Sequence, residues 1–250
     1  MDLDVQNHVR ALALASPDHL TSGPFVIRYA PDWPSPYANY AIPDAGADPS
    51  PADVQALIDV FRARDRKPRL EYLPSCAPLV EPALLAAGFA VENRPAVLAC
   101  ARGELADPGP RPGYVIQEPA TEADFVRAAR VQHTAYGQSG EPAPGEIGWL
   151  RRAAGNGGVV ALAVTGDGTA VGAGACSVPT RGLSELAGLA VAEGFRRRGI
   201  AAALSAYLTA GAFRRGCGAV WLEPGTPDIA RIYARIGYRP VGEKLNISLP

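Results

Sequence analysis

The segment Arg196-Arg197-Arg198-Gly199-Ile200-Ala201 joins an apolar run ending at Val191 to the Ala/Leu-rich stretch Ala201-Ala202-Ala203-Leu204. An apolar run, a glycine turn and a helical segment in that order specify a strand that passes into a helix through a tight cationic loop. Such a helix start presents unpaired backbone N–H groups and the positive pole of the helix dipole, and it draws phosphate. The chain is thereby constrained to an open α/β sheet with an anion site at the carboxyl end of one strand. A pyrophosphate-bearing ligand is the first expectation.

The surrounding residues extend this unit. Ala219-Val220-Trp221-Leu222 reads as a short buried strand parallel to the one ending at Val191, so the helix from Ile200 to about Phe213 is the crossover of a right-handed β-α-β unit. Upstream, Val159 to Val164 and Ala170 to Cys176 flank Gly166-Asp167-Gly168 as a hairpin, and Leu183 to Val191 is the third strand. Tyr114 to Gln117 reads as a strand. Thr121 caps a helix that ends near Tyr136-Gly137, and Pro142, Pro144 and Gly145 form a loop before a short helix around Ile147 to Leu150. Pro227 to Ile236 is the last helix, Gly237 its C-cap, and Tyr238 to Leu249 make two closing strands. The prolines and glycines of 106–113 exclude helix and strand, which makes that run a linker between domains 1–105 and 114–250.

A chain of 250 residues that is 48% hydrophobic can bury one large core or two modest ones. Its 24 Lys+Arg against 25 Asp+Glu leave a net charge of -1, so no bulk field favours nucleic acid or an anionic membrane, and local clusters must do any anion binding. Cys76, Cys100, Cys176 and Cys217 are widely spaced, without a C-x-x-C pair or flanking histidines, which reads as reduced core thiols with no metal site. Ala11 to Ala15 is too short and wrongly flanked for a secretory signal, and no apolar run has transmembrane length, so a cytoplasmic location is expected.

Arg196 to Ala201 matches the arginine-or-glutamine, x, x, glycine, x, glycine-or-alanine signature of the Gcn5-related N-acetyltransferase (GNAT) family, and Leu189-Ala190-Val191 resembles that family's central strand. The resemblance implies that the main-chain amides of Arg196, Arg197, Arg198, Gly199, Ile200 and Ala201 wrap the pyrophosphate of coenzyme A. It further implies a fold of the α/β (α+β) class with a mixed central sheet flanked by helices, and acetyl-CoA as co-substrate. Tyr233 stands four residues before Gly237-Tyr238, as in the family's tyrosine, x, x, x, glycine, aromatic ending, where the phenol lies beside the sulfur of coenzyme A. A phenol is protonated at neutral pH and is suited to donate to a leaving thiolate. By the same resemblance a main-chain amide in Leu189-Ala190-Val191 is the oxyanion donor. Thr226 occupies the place, seven residues before Tyr233, where the family often has asparagine for the pantetheine arm.

Glu185 is the candidate general base. It shares strand parity with Leu189 and Val191, which puts its carboxylate on their face if no bulge intervenes. His133 and Tyr136 lie near the loop that in this family lines the acceptor pocket, with His133 read as a surface or cap residue.

The first half contains a fainter copy of the same tail. Arg69-Leu70-Glu71-Tyr72-Leu73-Pro74 followed by Leu84 to Phe89 parallels Val220-Trp221-Leu222-Glu223-Pro224 followed by Tyr233 to Tyr238, and Ala56 to Phe61 parallels Ala203 to Leu208. A tandem duplication follows, two acyltransferase-like domains with a degenerate N-terminal copy. Where the second half has its phosphate loop, the first has Asp48-Pro49-Ser50-Pro51-Ala52-Asp53, whose prolines lack amide donors and whose aspartates repel phosphate. Leu84 stands where the second half has Tyr233. Trp33, Pro34, Tyr37 and Tyr40 form an aromatic stretch that reads as a packed loop or an acceptor wall.

The reading is an acetyl-CoA-dependent N-acetyltransferase acting on a primary amine by direct attack, without a metal. Transfer of another acyl group, or a non-catalytic acyl-CoA sensor, are the competing readings. No acidic cluster marks a polyamine pocket and no basic groove marks a nucleotide.

Overall fold

The computed structural model describes residues 1–109 and 112–250. Pro110 and Arg111, within the linker expected from the sequence, lie outside the described residues. In chain order the elements of the first half are α1 (Asp2–Leu14), β1 (Leu20–Ser22), β2 (Phe25–Arg28), β3 (Tyr40–Pro43), α2 (Pro51–Arg62), β4 (Arg69–Tyr72), α3 (Val80–Ala86), β5 (Ala90–Asn93) and β6 (Ala96–Ala101). There follow β7 (Val115–Gln117), α4 (Glu122–Ala135), α5 (Pro144–Gly155), β8 (Val159–Val164), β9 (Ala170–Cys176) and β10 (Leu183–Val191). The chain ends with α6 (Ile200–Arg214), β11 (Ala219–Leu222), α7 (Pro227–Arg235), β12 (Arg239–Glu243) and β13 (Leu245–Ser248).

The chain separates into two compact units, Met1–Val97 with Val241–Pro250, and Leu98–Pro240. The first contains the sheet β1-β2-β3-β4-β13-β5, and the second β12-β6-β11-β10-β9-β8-β7. Both are mixed sheets with a parallel junction, β3 with β4 and β10 with β11. In each sheet the strand that follows the second parallel strand in space comes from the other half of the sequence: β13 lies between β4 and β5, and β6 between β11 and β12. Apart from the additional edge strand β7 of the second sheet, the two halves therefore share one strand order and exchange their last strands. The sequence divided the chain once, at 106–113, and assigned both closing strands to the second domain. The structure places β13 in the first sheet, and 106–113 falls inside the span of the second unit.

Side chains explain why β13 sits where it does. Leu245 and Ile247 are fully buried in the first unit's core with Leu70, Tyr72 and Phe61. On the opposite face Lys244 Nζ donates to Glu71 at 2.6 Å, Glu71 also pairs with Arg69, and Arg69 Nε reaches Glu92 at 2.9 Å. Burial opposes ionisation of Glu71, but Lys244 and Arg69 outweigh it and hold the carboxyl below its ordinary pKa. A buried charge is tolerated only with such partners.

Local chemistry sets the helix starts. Ser50 and Asp53 form a capping box on α2, with Pro51 in its first turn, and Thr121 and Asp124 form another on α4. Pro144, expected in a loop, is in the first turn of α5, where its missing N–H costs nothing, so that helix is longer than the sequence suggested. In the second unit β8 is buried along its whole length, and the sheet carries one cluster with α6 and another with α4 and α5. Among the described residues no helix is long and apolar enough to cross a membrane. All four cysteines are free thiols; Cys100, Cys176 and Cys217 are buried and Cys76 is half-buried.

The placement of β13 gives a prediction. Ile247→Ala should destabilise the first unit by about 2–4 kcal/mol, the usual cost of truncating a buried Ile. Hydrogen exchange should show the loss of protection in β4 and β5 and not in β9 and β10. Uniform loss across both sheets would contradict this assignment of the strand.

Candidate active site

The site forms where β10 and β11 separate. Their parallel pairing covers only Leu183–Glu185 against Ala219–Trp221. Beyond it β10 carries a bulge: Ala187 pairs with Ala175 and Ala190 with Ala173, so three steps on β10 match two on β9. Gly188 stands in this gap at φ +64°, a conformation in which side-chain-bearing residues are strained. The bulge reverses the alternation of the strand. Leu186, Leu189 and Val191 all join the cluster with α6, whereas Ala190 packs with α4 and α5.

That reversal corrects the parity expected for Glu185. One residue before Leu186, its side chain points to the α4–α5 side of the sheet, opposite Leu189 and Val191. It is half-buried, and its backbone N–H donates to Ser177 Oγ at 2.9 Å.

From Val191 the chain turns through Glu193–Phe195 and enters α6 at Gly199, which has φ +80°, as Arg197 has +63°. No side chain caps α6. Among the described residues nothing accepts from the N–H groups of Arg197, Arg198, Gly199, Ile200, Ala201 and Ala202; the first helical bond at this end is Ala203 N–H to Gly199 O, 3.1 Å. Arg196 Nε leans on Val191 O at 3.4 Å, and Arg198 donates to Gly194 O at 3.0 Å and lies over the Phe195 ring. The result is a run of open amides at a helix N-terminus with cationic side chains beside it, which suits a phosphate group. The corresponding start of α2 is closed. Ser50 Oγ accepts from Asp53 N–H, Asp53 accepts from Ser50 N–H at 2.9 Å, and the Ser50 hydroxyl and amide hold that carboxyl below its ordinary pKa.

Tyr233 on α7 joins the cluster with Leu189, Val191 and Ile200, and its ring meets Tyr238 edge-on at 5.7 Å. The residue is buried. Burial, with a smaller contribution from Tyr136, pushes the phenol well above its ordinary pKa. Thr226 is exposed and caps α7, its hydroxyl accepting from Ile229 N–H at 3.3 Å.

The carboxyl end of α4 supplies residues that the sequence reading passed over or left general. Gln132 Nε2 donates to Gly188 O at 2.7 Å, and the Tyr136 hydroxyl donates to Leu189 O at 3.3 Å. His133, expected as a surface or cap residue, is buried in the last turn of α4. Its Nδ1 sits 3.0 Å from Glu146 and its Nε2 3.1 Å from Ser139 O, tying α4 to α5 across their connecting loop. The glycine inside a strand pattern at 188 was the available sequence signal for the bulge. A pocket of about 440 Å³ lies beside the loop, lined by Arg127, Arg130 and Arg196 among others.

The family model for the acetyltransferase (GNAT) family matches residues 124–238, the stretch from the first turn of α4 to three residues past α7. Residues 124–238 are a GNAT domain. Solved structures agree. A GCN5-related N-acetyltransferase from Kribbella flavida is 25% identical with a TM-score of 0.81, covering 100% of this chain and 96% of its own. Two others share the fold at lower identity. A putative GNAT acetyltransferase from Novosphingobium aromaticivorans is 17% identical, TM-score 0.60, over 99% and 94% of the two chains. A tandem GNAT protein of the clavulanic acid biosynthesis pathway is 11% identical, TM-score 0.62, over 90% and 77%. No curated protein sequence matches the chain. The chain is thus an acyltransferase built on two mixed sheets with flanking helices, and acetyl-CoA is the usual co-substrate of its family. Within the GNAT domain the open loop, the bulged strand and Tyr233 converge on one face of β10, and Glu185 lies on the other.

The His133 contact is sensitive to pH. Burial disfavours the imidazolium, but Ser139 O and Glu146 more than offset this and hold its pKa above the ordinary value. The stability it adds is therefore complete below about pH 6.5 and is lost as pH rises through the folded-state value. The melting temperature of His133→Gln should fall furthest below wild type near pH 6 and approach it near pH 9. A gap independent of pH would refute the charged pairing.

Proposed function

We propose that the GNAT domain transfers an acetyl group from acetyl-CoA to a primary amine by direct attack. The run of open amides from Arg197 to Ala202 at the uncapped start of α6 carries this reading. It offers a pyrophosphate several donors at once, and Arg196, Arg197 and Arg198 add positive charge. The parting of β10 and β11 leaves room for an extended thioester arm alongside Leu189-Ala190-Val191. Thr226 is the nearest counterpart of a pantetheine-binding residue on α7.

Glu185 serves as the general base in this reading, drawing a proton from the incoming ammonium directly or through water. Its position on the α4–α5 side supports that role, because nucleophile and leaving group then approach the acyl carbon from opposite faces of β10. Tyr233 serves the leaving sulfur. Its pKa lies above the ordinary phenol value, and a thiol titrates near 8.5, so complete proton transfer from the phenol to a thiolate is uphill. The Tyr233 hydroxyl therefore stabilises the departing thiolate chiefly as a hydrogen-bond donor. The start of α2, closed by Ser50 and Asp53, supports a single donor site per chain.

Calorimetric titration with acetyl-CoA should show one site per chain, abolished by Gly199→Glu, which strains a left-handed position and adds negative charge among the amides. Two sites would refute the account of α2; no binding would remove the donor assignment. Tyr233→Phe should leave acetyl-CoA affinity within about twofold and lower kcat by roughly 100-fold, the lower end of general acid–base contributions. Equal turnover by the two proteins would exclude Tyr233 from the chemistry, and binding without turnover on any amine would favour the sensor reading.

A further inference from the structure

The bulge in β10 is held from outside its own sheet. Gly188 O accepts from Gln132 Nε2 at 2.7 Å, and Gln132 is itself buried on α4. The approach is tight. A Cβ on Gly188 would lie 2.6 Å from Gln132 Nε2 and 3.3 Å from the Trp149 ring, so the position excludes any side chain on steric grounds as well as through its φ of +64°. One turn further along α4, the Tyr136 hydroxyl reaches the next carbonyl, Leu189 O.

A peptide unit is planar and trans, so its C=O and N–H point in opposite directions. The described chain has no cis bond. The peptide between Gly188 and Leu189 therefore carries the Gly188 carbonyl toward α4 and the Leu189 N–H away from it, toward the face that holds α6 and Tyr233. Gly188 and Leu189 also stand in the register gap, where the regular ladder to β9 does not fix their peptide. What fixes it is the side-chain amide of Gln132.

We infer that Gln132 is a positioning residue for acyl transfer: by gripping Gly188 O it aims the Leu189 N–H at the thioester oxygen. This inference rests on the acetyl-CoA reading above. As the amine adds to the carbonyl carbon, the π pair moves onto oxygen, and a donor already aimed at that oxygen stabilises the charge without reorganising. Without the grip the 188–189 peptide is free to rotate, and the donor is lost in the transition state while the pyrophosphate contacts at α6 remain. The signature is a loss in kcat and not in acetyl-CoA affinity.

The test uses the full chain and acetyl-CoA labelled with 13C at the thioester carbonyl. Difference infrared spectra of the bound labelled carbonyl are recorded for wild type and Gln132→Met, with affinity measured by calorimetry and turnover followed as CoA release to a small amine or water. The expected result is a carbonyl stretch at lower frequency in wild type than in the variant, affinity within about twofold, and turnover reduced roughly 10- to 100-fold, up to the cost of losing one oxyanion donor. The same stretch in both proteins, or a variant that loses affinity along with turnover, overturns the proposal. Should Gln132→Met fold poorly, Gln132→Glu keeps the volume, replaces the donor by an acceptor and should give the same spectral change. If wild type binds no acetyl-CoA, the titration shows it before any variant is compared, and the donor reading falls together with this one.

Discussion

One extra residue in β10 governs the rest of the site. A regular strand would continue its pairing and its alternation, and the side chains of Glu185, Leu189 and Val191 would share one face. The bulge at Gly188 sends Leu189 and Val191 into the α6 cluster and leaves Glu185 on the α4–α5 side. β10 and β11 pair through only three residues. A loop, a cleft and two candidate chemical groups on opposite faces all follow from where that residue is inserted.

The two units place two different helix starts at corresponding points of their sheets. Each has a parallel junction followed by a strand contributed by the other half of the sequence. At the junction of the second unit the chain enters a helix without a side-chain cap, and among the described residues six successive amides find no acceptor. At the junction of the first, Ser50 and Asp53 close the helix start with a capping box. Capping stabilises a helix end by about 1 kcal/mol, and it occupies the donors that an anion would use. An open N-terminus gives up that stabilisation in the free protein and recovers it when phosphate binds.

Much of this was legible because it is local. The hairpin at Gly166-Asp167-Gly168, the glycine before α6, the capping residue Thr121 and the apolar stretches of β8 and β11 all act within a few residues of themselves. The likeness of the two sheets was legible for the same reason, since corresponding local patterns recur. Three features were not. Pro144 reads as a loop residue until a helix is seen to begin at it. His133 is polar and its partner Glu146 is 13 residues away, across a loop whose path no local pattern gives. The destination of β13 depends on which of two open strand edges it fills, and the pattern of Leu245 and Ile247 suits both equally.

The sequence by itself determined the resemblance to the family, the order of elements in the second half and the glycine start of α6, because each depends on backbone preferences and motifs confined to short stretches. The tertiary structure decided the face to which Glu185 points, the grip of Gln132 on Gly188, the burial of His133 and the exchange of β6 and β13. Those depend on residues 13 to 173 positions apart meeting across packed surfaces. A bulge adds one more reason, because inserting a single residue into a two-residue period inverts every side chain beyond it.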